Sequence, residues 1–405
     1  MRKIFQHDLN TYMNYLIVVY AFSFPISKAG VNVIEALLLL LWLIQGNWSS
    51  KLHTLRSNAF IVTLGAFMLW SLISVFWASD ISFALSYIGK YHHFLMIPII
   101  YTTLEKKYIK YAFSAFLASM FMSEVLSYAI YFGLMTYKHA TPQLPTPFMH
   151  HVTYSAVLVF TTSILLISFL KEKNLKPKIF YLLFFITATA NLFANGGRTG
   201  QFIFIILMFV LFLLYIEHKM KAIVVASAVS VATLFLAYNY SNNFASRVHQ
   251  LTNGFEKAIY HNDYTDQGGM RAAMIIIGTH TFVDHFILGT GIGNTMKDAN
   301  KYSQELSMTT RDMHIFADYH NIFINTAAQL GIIGIVLLLT LFYTLFKTKF
   351  ISKEYSAINL MFIISFMLYS CTHNSIHVMN GMVYFALFTG LLLAISRLEL
   401  SEKNL

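Results

Sequence analysis

Charge is what this sequence has least of. Only 11% of its 405 residues are Asp, Glu, Lys or Arg, while 57% are hydrophobic. A soluble domain usually carries about 25% charged residues, so a soluble globular protein is excluded. Cysteine is nearly missing too. Cys371 is the single one, so no internal disulfide can form, and in its apolar stretch it reads as a small core residue. No internal repeat, low-complexity tract or separate terminal domain is visible. No small-residue cleavage site follows Arg2 and Lys3, so the first apolar stretch is expected to be a retained helix and not a signal peptide.

What the chain has instead is long apolar runs. Crossing a bilayer takes roughly 20 residues. Such runs fall near 11–27, 29–45, 58–78, 83–103, 108–133, 151–170, 178–194, 201–217, 220–238, 320–346, 356–372 and 379–396. The expectation is an all-α, polytopic membrane protein of about twelve transmembrane helices, forming one integral membrane domain over 1–405. A net charge of +10 could suit nucleic acid, but its distribution has a better explanation. Lys and Arg gather in alternate loops, such as Lys106, Lys107 and Lys110, or Lys171, Lys173, Lys176 and Lys178. The short loops between hold only Lys28, Lys138 and Arg198. By the positive-inside rule the rich loops and both termini are cytoplasmic. The basic charge is mainly a topology signal, and no nucleic-acid partner is expected.

Two segments on the opposite side stand out. Residues 134–150, "LMTYKHATPQLPTPFMH", carry three prolines and should be extended or turning. Residues 239–319, between the ninth and tenth spans, form the one sizeable soluble-like region, expected to be periplasmic and to contain short helices. Within it "GGMRAAMIIIGTHTFVDHFI" suits an amphipathic helix at the membrane surface.

Ionisable groups near the bilayer are costly unless paired or wet, which makes them functional candidates. Arg198, in "NGGRTGQ", stands where a span begins, beside the unpaired N–H groups and positive end of that helix. A guanidinium there outlines a phosphate site; the ordinary alternative is an arginine snorkelling to headgroups. Arg271, in "GGMRAAM", could hold the other half of a pyrophosphate, or simply sit on the wet face of its helix. The segment "DYHNIFINTAAQLGIIG" places His320 and Asn321 where the long segment re-enters the membrane. A neutral histidine there could accept a proton from a sugar hydroxyl near pH 7, with Asp318 and Asn321 orienting it; a structural histidine is the alternative. Gly331 and Gly334 follow inside the helix, where small residues permit close helix packing.

Other features carry less. "GTGIGN", Gly289–Asn294, follows no strand and reads as a turn. His92/His93 and His150/His151 are adjacent pairs, which share no α-helical face, so metal binding is not expected. His373 and His377 are four apart but lack the Glu of H-E-x-x-H. Lys90 is either a buried functional cation or a snorkelling lysine, and Glu35 and Glu124 are further intramembrane candidates. No carboxylate cluster demands a metal, and no cofactor is expected.

"HNIFINTAAQLGIIG" is H-N, nine residues, then G-x-x-G. Preceded by "GGRTG" and then "MRAAMIIIGTHTFVDHFILGTGIGN", it resembles the signature of the O-antigen ligase and polymerase superfamily. The likeness covers roughly 195–335; Ile335 stands where the family often has Ser or Thr. It implies a helical glycosyltransferase of the C-type class, metal-independent and inverting. Such a ligase moves a glycan from undecaprenyl pyrophosphate to lipid A–core oligosaccharide at the periplasmic face of the bacterial inner membrane. His320 would be the catalytic base and Arg198 and Arg271 the pyrophosphate partners, with Asn321, Asp318 and Lys90 supporting. Membrane lipids would surround it. An O-antigen polymerase shares the donor chemistry. A protein O-oligosaccharyltransferase is disfavoured by the short C-terminal tail, and a transporter or flippase by the lack of symmetry between halves.

Overall fold

The computed structural model describes residues 2–240, 242–293, 296, 299–312 and 316–403. Among these the regular elements are all helical, and β pairing is confined to isolated bridges such as Tyr137–Ala140 and Thr141–Leu144 in the proline-rich loop. Nine helices among the described residues are long and apolar enough to cross a membrane, and they correspond to nine of the twelve expected runs. The first and eleventh runs lie in Arg2–Ser23 and Lys353–Ser370. Polar side chains such as Asn10, Asn14, Asn359 and Ser365 dilute their apolar windows. The fourth run changes character along its length: helix Ile81–Gly89, a 3₁₀ turn Lys90–Leu95 and helix Met96–Thr103 follow one another, none long enough alone.

Two helices form the centre. His151–Lys171 and Met379–Lys403 each bury 89% of their most apolar window, against 22% for Lys28–Gln45 and Lys219–Tyr240, which lie at the rim. The centre is held by interlocked rings. Phe160 and Phe388 meet edge to face at 4.8 Å, and Phe366 packs on Phe385 at 4.7 Å. These are separations at which aromatic pairs attract beyond simple area burial. Rim helices instead leave Val33, Leu37, Leu40 and Ile44 exposed, an apolar surface suited to lipid.

The long connecting segment is helical in pieces: Asn242–His261, Gln267–Asp284 and Ala299–Glu305. The helix expected over "GGMRAAMIIIGTHTFVD" is present. Asp266 caps it, its carboxylate accepting from the N–H groups of Gly268 and Gly269 at 2.8 and 2.7 Å. Met270, Ala273, Met274 and Ile277 build a small core with Tyr302, Tyr319 and Ala328. The segment is thereby fastened to the start of helix Ile322–Phe346.

That helix is kinked at Gly331, whose φ of 65° no ordinary helical residue adopts. The expectation for Gly331 was close packing of another helix. The neighbour is instead the loop Ile287–Gly289, which leaves no room for a Cβ. The kink frees backbone carbonyls, and each finds a donor. Thr290 N–H reaches Ala328 O at 2.9 Å, Gly291 N–H reaches Gln329 O at 3.0 Å, and the Trp70 indole reaches Leu330 O at 3.0 Å. The "GTGIG" turn supplies two of these donors. Gly289, Gly291 and Gly293 all have φ between 71° and 89°; Asn294 lies outside the described residues.

Candidate active site

Arg198 is the first residue of helix Arg198–Tyr215. Gly197 and Gly200 let that helix start press against Ser155 of the central helix, with no space for a Cβ at either. Asn195 accepts from Gly197 N–H at 2.8 Å, and the Gln201 side chain donates to Leu192 O and Asn195 O, both at 3.1 Å. The backbone ahead of Arg198 is thus locked, and Gly196 is left facing open space. The Arg198 Nη2 donates to Gln250 Oε1 at 2.9 Å, on the first helix of the long segment.

That open space is a cavity of about 430 Å³. Arg198 and Arg271 both line it, from elements more than 70 residues apart in sequence, together with His151, Thr199, Gly268, Gly269 and Thr372. Among the described residues lining it there is no Asp or Glu. Arg271 presents an accessible side chain to the cavity, yet the surrounding protein desolvates it and lowers its pKa from the ordinary value. It remains a cation, because guanidinium does not lose its proton in proteins.

His320 stands just before helix Ile322–Phe346, in a left-handed conformation with φ 49°. Its backbone N–H donates to Asp318 Oδ1 at 2.7 Å, and its ring Nδ1 lies 3.1 Å from the same oxygen, at an angle that makes the contact electrostatic. Burial alone would raise the Asp318 carboxyl. The His320 ring and N–H, with the Asn374 side chain, outweigh it and hold the pKa at about 2. Phe316 meets the His320 ring edge-on at 5.8 Å.

Asn321 caps the helix, its Oδ1 accepting from Phe323 and Ile324 N–H at 2.9 and 3.2 Å, while its Nδ2 donates to Cys371 O at 3.0 Å. It therefore fixes the backbone that carries His320; the ring itself is met by Asp318. Lys90 is not on the cavity. Its Nζ lies 3.4 Å from His377 O and 5.4 Å from the Tyr87 ring centroid. Tyr87 accepts from Asn374 at 2.6 Å and from Asn325 at 3.4 Å, and stacks on His377 at 3.9 Å. Lys90 thus adjoins the network below Asp318.

Two further histidines, weighed from sequence only as metal ligands, join this group. His373 stacks on His320 at 6.1 Å and 27°, and on His150 at 6.1 Å and 13°. Burial lowers His373 to about 4, against a pull upward by Asp318; His320, His150 and Arg271 push it further down. His150 is lowered by burial, then by the charges of His320 and Arg271. The charges of base candidate and arginine thus converge on the same two rings. Chain continuity adds to this: His151, Cys371 and Thr372 line the cavity, and their neighbours His150 and His373 line the histidine stack. Neither adjacent nor i,i+4 spacing reveals this grouping, because the stack is assembled from three separate segments.

No curated protein matches the chain significantly. A family model described as O-Antigen ligase matches residues 182–339, the stretch holding Arg198, Arg271, His320 and the Gly331 kink. The resemblance read from the ordered motifs is borne out over that segment: residues 182–339 are similar to the O-antigen ligase family.

Proposed function

We propose that this protein is an O-antigen ligase. It would transfer a glycan from undecaprenyl pyrophosphate to lipid A–core oligosaccharide at the periplasmic face of a bacterial inner membrane. The observation that carries the reading is the shared wall. Two arginines face one cavity with no carboxylate among its described lining residues, and its lining segments run directly into the stack around His320. An acceptor hydroxyl oxygen attacks the anomeric carbon, and the bond from that carbon to the pyrophosphate oxygen breaks, with inversion. The hydroxyl proton passes to His320, whose geometry Asp318 fixes. The departing pyrophosphate takes the electron pair, and Arg198 and Arg271 stabilise its growing charge, the kind of preorganised electrostatic help that often dominates catalysis. No metal or cofactor takes part in these steps. The donor's lipid tail lies against the apolar rim.

Sidedness follows from the Lys/Arg asymmetry: termini and the "KEKNLKPK" loop cytoplasmic, 239–319 periplasmic. Single cysteines at Leu175 and Asn262 on a Cys371→Ser background test it. With only the outer membrane opened, an impermeant reagent should label position 262 and spare 175; the reverse pattern overturns the topology. The function is tested by a lipopolysaccharide gel of a strain lacking the gene. Loss of long chains with lipid-linked glycan retained is the ligase result. A single-repeat band would show the polymerase instead.

A further inference from the structure

Away from the cavity, three metal-ligating side chains meet where the fourth apolar run changes helix type. Glu35 lies on helix Lys28–Gln45, and His92 and His93 lie on the 3₁₀ turn Lys90–Leu95. On an α-helix adjacent histidines diverge. Here their ring centroids are 4.0 Å apart, and one nitrogen of each approaches the same carboxylate oxygen. His93 Nδ1 is 2.7 Å and His92 Nε2 3.7 Å from Glu35 Oε2, and all three atoms lie within 4.8 Å of one another.

The surrounding contacts set the protons. Gly89 O can only accept, so His92 Nδ1, 2.8 Å away, carries that ring's N–H. With one proton on that ring, its Nε2 presents a lone pair toward Glu35. Tyr20 O–H donates to the other carboxylate oxygen, Oε1, at 2.7 Å. A ligating histidine whose far nitrogen donates to a backbone carbonyl, beside a carboxylate steadied by a further hydrogen bond, is the outer arrangement that metal sites use. Two acceptor atoms, His92 Nε2 and Glu35 Oε2, face each other beside a carboxylate that is only 3% exposed. Facing acceptors repel unless a proton or a metal cation lies between them.

We propose that Glu35, His92 and His93 bind one divalent transition-metal ion, with Zn²⁺ the best match to two imidazoles and a carboxylate. Bonds of about 2.0–2.1 Å put the ligand atoms of a tetrahedral site roughly 3.3 Å apart, and the observed 2.7 and 3.7 Å straddle that separation. His93 Nδ1 loses its hydrogen bond to Glu35 on binding, and the proton moves to the ring's Nε2 or to solvent. Water or another small ligand would complete the shell at the exposed edge of His92. The ion would clamp helix Lys28–Gln45 to the turn in the fourth run. This site is independent of the transfer reaction proposed above.

The test uses full-length protein without a polyhistidine tag, in detergent, stripped by chelator and titrated with ZnCl₂. Bound metal is read by mass spectrometry and melting temperature by thermal shift. One Zn²⁺ per chain is expected, raising the melting temperature. His92→Ala and Glu35→Gln should each lose more than about 100-fold in affinity, beyond the 10–100-fold typical of an outer partner. His373→Ala, in the other histidine group, should keep the site. Co²⁺ should give the visible bands of a tetrahedral centre in the parent and not in His92→Ala. His92 is half exposed, so its truncation should leave metal-free melting unchanged, and that variant decides the matter even if Glu35→Gln does not fold. Absence of stoichiometric uptake, or uptake of equal affinity in His92→Ala, overturns the proposal.

Discussion

The cavity wall bearing Arg198 and Arg271 and the cluster around His320 are neighbours in space and opposites in construction. The wall is sparsely furnished. Arg198 has a neutral partner in Gln250, Arg271 has no ion pair among the described residues, and no described carboxylate lines the cavity. Two guanidinium groups line it, an arrangement suited to an anion. The histidine cluster is over-determined. Its ring is held through a left-handed backbone, a carboxylate contacted twice, a flanking imidazole and an edge-on phenylalanine. One region is arranged to attract a charge and the other to hold an atom still. Substitutions should therefore separate into effects on charge stabilisation and effects on proton handling.

The largest effect should come from the histidine side. His320→Ala is expected to cut transfer about 10²–10⁴-fold, the usual worth of a general base, with protein abundance unchanged and donor affinity nearly so. Transfer rate and donor binding measured in the same nanodisc decide it; a variant keeping more than about a tenth of the rate would make His320 structural. Next come the arginines. Arg198→Ala and Arg271→Ala should each cost about 10²–10³-fold, the scale for losing one preorganised donor. The Lys variants should recover little of this, because Lys lacks the planar fork. Near-normal rates in both Arg→Lys variants would reduce the wall to simple charge and erase the contrast.

Asn321→Ala should be milder. It removes a helix cap worth about 1 kcal/mol and a tether to Cys371 O, so lowered melting temperature should accompany a modest rate loss. A large rate loss with unchanged melting would instead put Asn321 on the substrate. The smallest effect concerns His373. Its pKa falls from 6.5 to about 4 on folding, so between those values the unfolded chain binds a proton that the folded chain does not. Stability should decline as pH drops through that window and level off below it. His373→Gln should flatten the decline in melting temperature measured in detergent; an unchanged slope would assign it to other groups.

How much of this was legible beforehand follows from the range of each interaction. Apolar runs and the basic loops are local patterns, and nine of the expected spans appear as helices able to cross a membrane. The arginines stood out because charge near a bilayer is rare, and the family match covers both. What escaped was geometry set by long-range contacts. A 3₁₀ turn in place of an α-helix turned His92 and His93 toward one carboxylate, which adjacency alone seemed to forbid. His150 and His373 look unrelated in sequence and are joined only by the meeting of two chain segments. Gly331 read as a packing glycine because its demand for positive φ arises only when the Ile287–Gly289 loop docks.

The kink at Gly331 bears on how the molecule is assembled. Helix Ile322–Phe346 cannot satisfy its own backbone: Ala328 and Gln329 carbonyls depend on N–H groups of Thr290 and Gly291. An unpaired carbonyl in hydrocarbon costs several kcal/mol, so this helix is incomplete until the preceding segment has reached its place. The Gly289–Gly293 turn and this helix therefore complete one another, since Ile332 N–H in turn reaches Phe286 O. The backbone that carries His320, at the start of that helix, is thus held only where the membrane and extramembrane parts meet.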